Sequence, residues 1–195
     1  MIVPANEASW SDLQAILKSA NCHGCRCYCQ RFKSPGSDWR TVSDEERAFR
    51  LQAQTSCGDP KARTTSGLVA YRDGEPVGWV SVEPRTGFGA LRRSRVPWQG
   101  RDEDKDDSGV WAVTCFHTRP GHRKQGVAGE LAKATVPFAR ERGAKALEAY
   151  PMVVEPGDSV PWGETHVGTK TMFEDCGFVE VSRPTLRRVV MRIDF

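Results

Sequence analysis

The residues best suited to chemistry fall in three places along the chain. The first is Thr118-Arg119-Pro120-Gly121-His122-Arg123-Lys124-Gln125-Gly126-Val127-Ala128, a turn with paired cations that leads into an amphipathic segment. Amides that open a helix have no intrahelical acceptors, so they can receive phosphate oxygens at the favourable end of the helix dipole. Gly126 permits close approach of a ligand to the backbone, and Ala128 adds little bulk. Arg123 and Lys124 supply charge for a polyphosphate. The same letters would also suit an ordinary helix start with surface cations. They match neither the Gly-x-x-x-x-Gly-Lys-Ser/Thr loop nor the Gly-x-Gly-x-x-Gly fingerprint.

The second place is Ala146-Leu147-Glu148-Ala149-Tyr150, where an acid interrupts an apolar strand. A buried carboxylate needs a reason, either a general base or an ion pair with Lys or Arg, and both readings stay open here. Period-two alternation puts Glu148 and Tyr150 on one face. His117 is a further base candidate, because imidazole as a side-chain type titrates near ~6.5. An exposed histidine without a role fits the sequence equally. The third place is Cys22-His23-Gly24-Cys25-Arg26-Cys27-Tyr28-Cys29. Thiolates and imidazole are zinc ligands, but the second pair is too close to the first and has no distant partner pair. Local packing beside Tyr28, Phe32 and Trp39 is the preferred reading, and no metal is expected.

These groups need elements to hold them. Trp10 to Ser19 reads as a helix, with Leu13, Ile16 and Leu17 at helical spacing. Pro35-Gly36-Ser37 reads as a loop. Ser43 before Asp44-Glu45-Glu46 resembles a capping box for a helix through about Thr55. Gly67 to Tyr71 and Pro76 to Val82 form a hairpin across Asp73-Gly74. Phe88 to Pro97 is ambiguous, with a short helix as one option. The charged run Arg101 to Asp107 reads as a solvated loop. Val110 to Thr118 is a strand. A helix runs from Gln125 or Gly126 to Arg142, with Val127, Leu131, Ala134 and Phe138 as its apolar stripe. Pro137 predicts a kink or break in it, and Gly143 stops it. Lys145 to Tyr150 returns as a strand. Glu155 to Asp158 and Pro161-Trp162-Gly163 mark a long loop, Lys170 to Cys176 a short helix, and Phe178 to Ser182 and Arg188 to Phe195 two last strands. The class is α+β (mixed α/β), a central mixed sheet flanked by helices. Residues 1–195 read as one domain, with 1–65 helical and 67–195 as the sheet core.

Composition narrows the classes. The 195 residues are 38% hydrophobic and 27% charged, which suits a globular domain. The 28 basic and 25 acidic residues are interspersed, which speaks against a nucleic-acid partner. No run of apolar residues is long enough for a membrane span. Met1 to Glu7 lacks the basic and apolar regions of a signal peptide, so the expected location is the cytoplasm. Seven cysteines, an odd number, suit reduced thiols.

The layout resembles the GCN5-related N-acetyltransferase (GNAT) family. Arg123-Lys124-Gln125-Gly126-Val127-Ala128 is similar to its acetyl-CoA motif, with Pro120 as the proline before it. Asp73-Gly74-Glu75-Pro76-Val77-Gly78-Trp79 resembles its hairpin. Thr171-Met172-Phe173-Glu174-Asp175-Cys176-Gly177-Phe178 resembles its closing helix and Gly-Phe pair. Cys27-Tyr28-Cys29-Gln30 is similar to a segment of uncharacterised members.

The resemblance implies the acyl-CoA N-acyltransferase fold, with acetyl-CoA as cosubstrate. It implies that the backbone at Phe116, His117 and Thr118 meets pantetheine, and that the amides of Arg123, Lys124, Gln125, Gly126, Val127 and Ala128 hold the pyrophosphate. The strands around Cys115 and Glu148-Ala149-Tyr150 should part to admit the thioester, and an amine then attacks directly. The family often has a tyrosine as general acid where Phe173 stands here. Tyr150 is one substitute, with Glu148 as base and His117 as the other base candidate. Glu164 and His166 fall in a loop that could close over the acceptor. Cys115 as a covalent nucleophile is disfavoured against a buried packing role. The acceptor is expected to be a small-molecule primary amine. A protein or peptide amine, or a noncatalytic acyl-CoA-binding module, are the alternatives. Dimerisation into a homodimer is open by resemblance, with no interface readable.

Overall fold

The computed structural model describes residues 1–18, 21, 22, 25, 26, 28–34, 41–155, 157, 160 and 162–195, with the backbone alone at 21, 22, 25, 26, 162 and 163. Pro35-Gly36-Ser37, Trp39, Pro156, Asp158 and Pro161 lie outside the described residues. So do His23, Gly24, Cys27 and the side chains of Cys22 and Cys25, which hold most of the cysteine segment.

The strands are β1 Ile2–Pro4, β2 Asn21–Cys22, β3 Cys25–Arg26, β4 Leu68–Arg72, β5 Glu75–Pro84, β6 Val110–Thr118, β7 Ala146–Ala149, β8 Val179–Thr185 and β9 Arg188–Asp194. The helices are α1 Trp10–Leu17, α2 Asp44–Thr55, α3 Gly89–Arg93, α4 Val127–Glu141, α5 Trp162–Thr165 and α6 Lys170–Glu174. Seven strands form one sheet in the order β1-β4-β5-β6-β7-β9-β8, and β2 pairs with β3 separately. Within the large sheet β6 and β7 are parallel and every other neighbouring pair is antiparallel. A parallel pair needs a crossover, and α4 supplies it. Among the described residues no helix is long and apolar enough to cross a membrane.

Local sequence explains the elements that frame the site. Asp73 (φ 51) and Gly74 (φ 80) are both left-handed, as a two-residue hairpin turn between β4 and β5 requires. Ser9 and Asp12 form a reciprocal capping box at α1, and the Ser43 hydroxyl accepts from Glu46 N–H to cap α2. Helix α4 buries Val127, Leu131, Ala132, Thr135, Phe138 and Ala139. These pack on Val80, Val82, Val113 and Phe116 of the sheet. Burial of a side chain such as Leu131 or Phe138 contributes about 1.5–3 kcal/mol. The helix runs through Pro137 without a break. Pro137 and Lys133 are both exposed, so the carbonyl that Pro137 leaves without a partner sits on the wet face while the apolar stripe stays continuous.

A bulge in β6 sets up the site. Ser81 pairs with Cys115 and Val82 with Val113, leaving Thr114 as the extra residue. Val113 and Phe116 consequently face the α4 side, whereas Cys115 joins the cluster under α1 with Trp79. Pairing of β6 with β7 runs from Val110↔Ala146 to Val113↔Ala149 and ends there. Beyond it β6 continues to Thr118, whereas β7 ends at Ala149.

Candidate active site

At the end of β6 the turn is left-handed at Gly121 (φ 89), Lys124 (φ 59) and Gly126 (φ 83). A side chain at Gly126 would have room, its nearest contact being Glu130 Oε1 at 3.8 Å, so glycine serves the backbone angle here. Glu130 N–H donates to Gly126 O (3.0 Å), and the amides of Val127, Ala128 and Gly129 reach no carbonyl among the described residues. They are open donors at the positive end of a fifteen-residue helix. Arg72 of β4 braces the turn, donating to Gln125 O (2.7 Å) and Glu130 Oε1 (2.8 Å). Gln125 Nε2 donates to Gly121 O (2.7 Å), and Arg123 Nε to Thr118 O (3.3 Å). Arg123 and Lys124 are exposed beside the amides. Open amides, a glycine-dependent bend and two cations fit the diphosphate of coenzyme A.

The gap between β6 and β7 is occupied from within. Phe116 N–H donates to His166 O (2.7 Å), so the pairing expected of Phe116 with pantetheine requires this carbonyl to give way. The segment is tightly seated. A side chain at Gly168 would meet Met172 Cε at 2.5 Å and Phe173 Cε2 at 2.8 Å. Phe173 itself is fully buried, with its ring 6.0 Å from Phe116 and 5.0 Å from Phe178.

Glu148 and Tyr150 do come together: Tyr150 Oη donates to Glu148 Oε2 at 2.8 Å. Arg85 Nη1 donates to the same oxygen (3.1 Å), and Arg192 Nη1 to Oε1 (3.0 Å). Arg101 Nη2 also binds Oε1 in a very short contact. Four donors use the four acceptor sites of the carboxylate, which is 0% exposed. No lone pair is left to take a proton from an amine, so this geometry argues against Glu148 as base and for a role in positioning. Tyr150 is correspondingly held neutral. Burial first, then the charge and hydrogen bond of Glu148, push its phenol well above the usual value, against Arg85 and Arg101. Arg85, Arg101 and Arg192 were not legible as site residues. Arg101 belongs to the charged run expected to be solvated, yet its side chain is 5% exposed and stacks 5.3 Å from Trp98. The reason is the buried charge of Glu148, which draws Arg101 inward while residues 102–106 stay exposed.

His117 lies elsewhere. It is buried, 6.3 Å from the Trp79 ring, with Nε2 3.7 Å from Cys115 Sγ. Cys29, Cys115 and His117 place one ligand-type atom each within 4.8 Å of one another. Cys29 and Cys115 are not joined in a disulfide.

Instead, Tyr150 shares a cavity with His166. The cavity is about 680 Å³ and is lined by Phe32, Leu91, Val96, Pro97, Val189 and Val190 as well. The Phe32 ring stacks on His166 at 6.0 Å. Arg31, Arg93, Arg95 and Arg188 also line it. It therefore borders the gap between β6 and β7 through Tyr150 and His166, with Phe116 N–H reached through the His166 carbonyl. Of the lining, the sequence singled out Tyr150, His166 and Phe32. The arginines come from three separate segments with no shared motif.

A sequence model of the Acetyltransferase (GNAT) family matches residues 32–156. No curated protein sequence is significantly similar to the chain. Among solved structures, the ribosomal-protein-alanine N-acetyltransferase from Brucella melitensis is similar at 19% identity and TM-score 0.53, over 100% of this chain and 99% of that one. A GCN5-related N-acetyltransferase from Kribbella flavida is similar at 17% identity and TM-score 0.54, over 100% and 97%. An N-acetyltransferase from Staphylococcus aureus Mu50 is similar at 14% identity and TM-score 0.54, over 100% and 97%. At such identities the likeness is one of fold, the mixed α/β fold of acyl-CoA N-acetyltransferases. The family match spans the β6 bulge, the amide-bearing turn, α4 and β7, and by it the chain belongs to the GNAT acetyltransferase family.

Proposed function

We propose that the chain acetylates the primary amine of a small molecule, with acetyl-CoA as donor and direct attack by the amine. The observation that carries this reading is the parting of β6 and β7 after Val113↔Ala149, with open amides beyond one strand end and a cavity beyond the other. Acetyl-CoA supplies an activated acetyl thioester. The residues of the chain then have separable tasks. The amides of Arg123 to Ala128, with the Arg123 and Lys124 side chains, bind diphosphate. The Phe116 amide offers a donor once His166 O withdraws. Tyr150 spends its proton on Glu148, so its oxygen is left as an acceptor for an N–H of the amine. The His166 imidazole, in the same cavity, is our choice of proton acceptor in place of Glu148 and His117. A cavity of about 680 Å³ has the size of small-molecule sites, which supports a small acceptor.

A noncatalytic acyl-CoA-binding module is the second reading, favoured by the fully buried Phe173 and by the His166 carbonyl on Phe116 N–H. Incubation with acetyl-CoA and a panel of amines, following free thiol and acetylated product, separates the two. The enzyme releases thiol only when an acceptor amine is present. Binding of CoA without turnover on any amine favours the module, and absence of CoA binding defeats both.

A further inference from the structure

The cavity beside Tyr150 carries positive charge without matching negative charge. Arg31, Arg93, Arg95 and Arg188 line it, and among the described residues no Asp or Glu does. Among the described residues none of these four guanidiniums stands within ion-pair distance of a carboxylate. Their neighbours in sequence do: Arg92 pairs with Asp106 at 2.8 Å, and Arg187 with Glu164 at 3.4 Å. So the lack of partners follows the cavity and not the local sequence.

Arg188 is the informative member. It is half-buried, at the start of β9, next to the apolar wall made by Val189 and Val190. Burial first, with Arg31 and Arg187 adding and Glu164 opposing, lowers its pKa from the usual value. A half-buried guanidinium held near like charges costs stability unless a ligand supplies the missing charge. Arg31 and Arg188 stand deeper, and Arg93 and Arg95 are exposed at the rim. Between them the wall is apolar, with Leu91, Val96 and Pro97.

We propose that the acceptor is an amine that carries its own oxyanion, a carboxylate or phosphate, which Arg188 and Arg31 bind while the amine lies toward Tyr150 and His166. This rests on the acetyltransferase reading and narrows its substrate class. A guanidinium presents a planar fork of donors that matches both oxyanions, and a low-dielectric wall strengthens the pairing. Polyamines and other purely cationic acceptors are disfavoured by the same charges.

The test uses matched amines that differ only in the anion. Phenylalanine is compared with its amide, phosphoethanolamine with ethanolamine, and spermidine serves as the cationic case. Initial rates give kcat/KM for each, and calorimetric titration gives binding in parallel. The anionic member of a pair is expected to lead by roughly 10-fold or more. Which pair shows the larger gap distinguishes carboxylate from phosphate. Arg188→Gln and Arg31→Gln are expected to cut the anionic rate by roughly 10- to 100-fold, collapsing the pair preference. Acetyl-CoA affinity should hold in both. Arg92→Gln, which changes an exposed pair outside the lining, should leave all rates as they are. Equal use of both pair members, or a lead by spermidine, overturns the proposal. So does a loss of acetyl-CoA affinity in Arg188→Gln that matches the loss of rate, since the cavity would then hold the donor's phosphates. Absence of acetyl-CoA binding in the unaltered protein is a different failure, that of the acetyltransferase reading. Titration with the matched amines still decides whether the cavity selects the anion.

Discussion

Two groups of arginines reach the surroundings of Tyr150, and they differ in what they face. Arg85, Arg101 and Arg192 converge on one buried carboxylate, Glu148, and all three also approach Glu103. Arg31, Arg93, Arg95 and Arg188 border a cavity and meet no carboxylate among the described residues. Tyr150 belongs to both, donating its hydroxyl to Glu148 and lining the cavity. The comparison teaches that a guanidinium is structural where its charge is already answered and available for recognition where it is not. It also gives an acid in the middle of β7 a role as counter-ion. Glu148 is the counter-ion that lets three cations fold inward.

The largest effect should come from breaking the answered group. Glu148→Gln leaves Arg85 and Arg101, 1% and 5% exposed, without their shared charge. Removing one partner of a buried ion network typically costs about 3–5 kcal/mol. Urea unfolding should show this as a lower midpoint with unchanged slope. A loss below about 1 kcal/mol would mean that Glu148 is poorly paired, and would reopen its candidacy as a base.

How much of this was legible differs between the two ends of the site. The turn from Arg123 to Ala128 was readable as a turn because backbone geometry is encoded locally by Gly126 and by the helix that follows. The strand Val110 to Thr118 was readable to the residue, since β-branched and aromatic residues crowd one segment. The hairpin and the Gly-Phe pair were likewise local signals. The acceptor side was not readable. Phe32, Arg93, His166 and Arg188 are joined only by the fold, and no spacing connects them. Glu148 and Tyr150 were found together by alternation, but their three arginine partners come from residues 85, 101 and 192. Nor does a sequence show that the His166 carbonyl sits on Phe116 N–H, because the long loop before α6 has no periodicity to place it. The continuity of α4 through Pro137 shows the opposite error, a strong local rule softened where the freed carbonyl faces water.

A smaller effect tests the rim of the answered group. Glu103 is about a third exposed, and burial alone would raise its pKa. The hydrogen bond and charge of Arg101, the charge of Arg192 and the bond from Arg85 outweigh burial and hold its carboxyl below the usual 4.5. The folded value lies under the unfolded one, so the contribution is complete above pH 4.5 and is lost as pH falls through the folded value. With solvent screening it should amount to less than about 1 kcal/mol. Glu103→Gln should therefore flatten part of the acid limb of a stability-versus-pH curve, its small loss being present at neutral pH and vanishing in acid. An unchanged acid limb would place the acid sensitivity elsewhere.

The smallest effect has the opposite sign. If Arg188 stands unanswered, Arg188→Gln removes a half-buried cation that burial and its neighbours Arg31 and Arg187 already penalise. Folding stability without ligand should then stay level or rise by a few tenths to about 1 kcal/mol. Added phosphate should raise the melting temperature of the unaltered protein more than that of Arg188→Gln, because an anion that binds the folded state alone stabilises it by mass action. A clear fall in melting temperature for Arg188→Gln would mean that Arg188 is as structural as Arg85. The contrast between the two groups would then fail, and with it the ground for reading the cavity as an anion site, since the like charges around Arg188 would be a tolerated cost of packing β9 rather than a place held for a substrate.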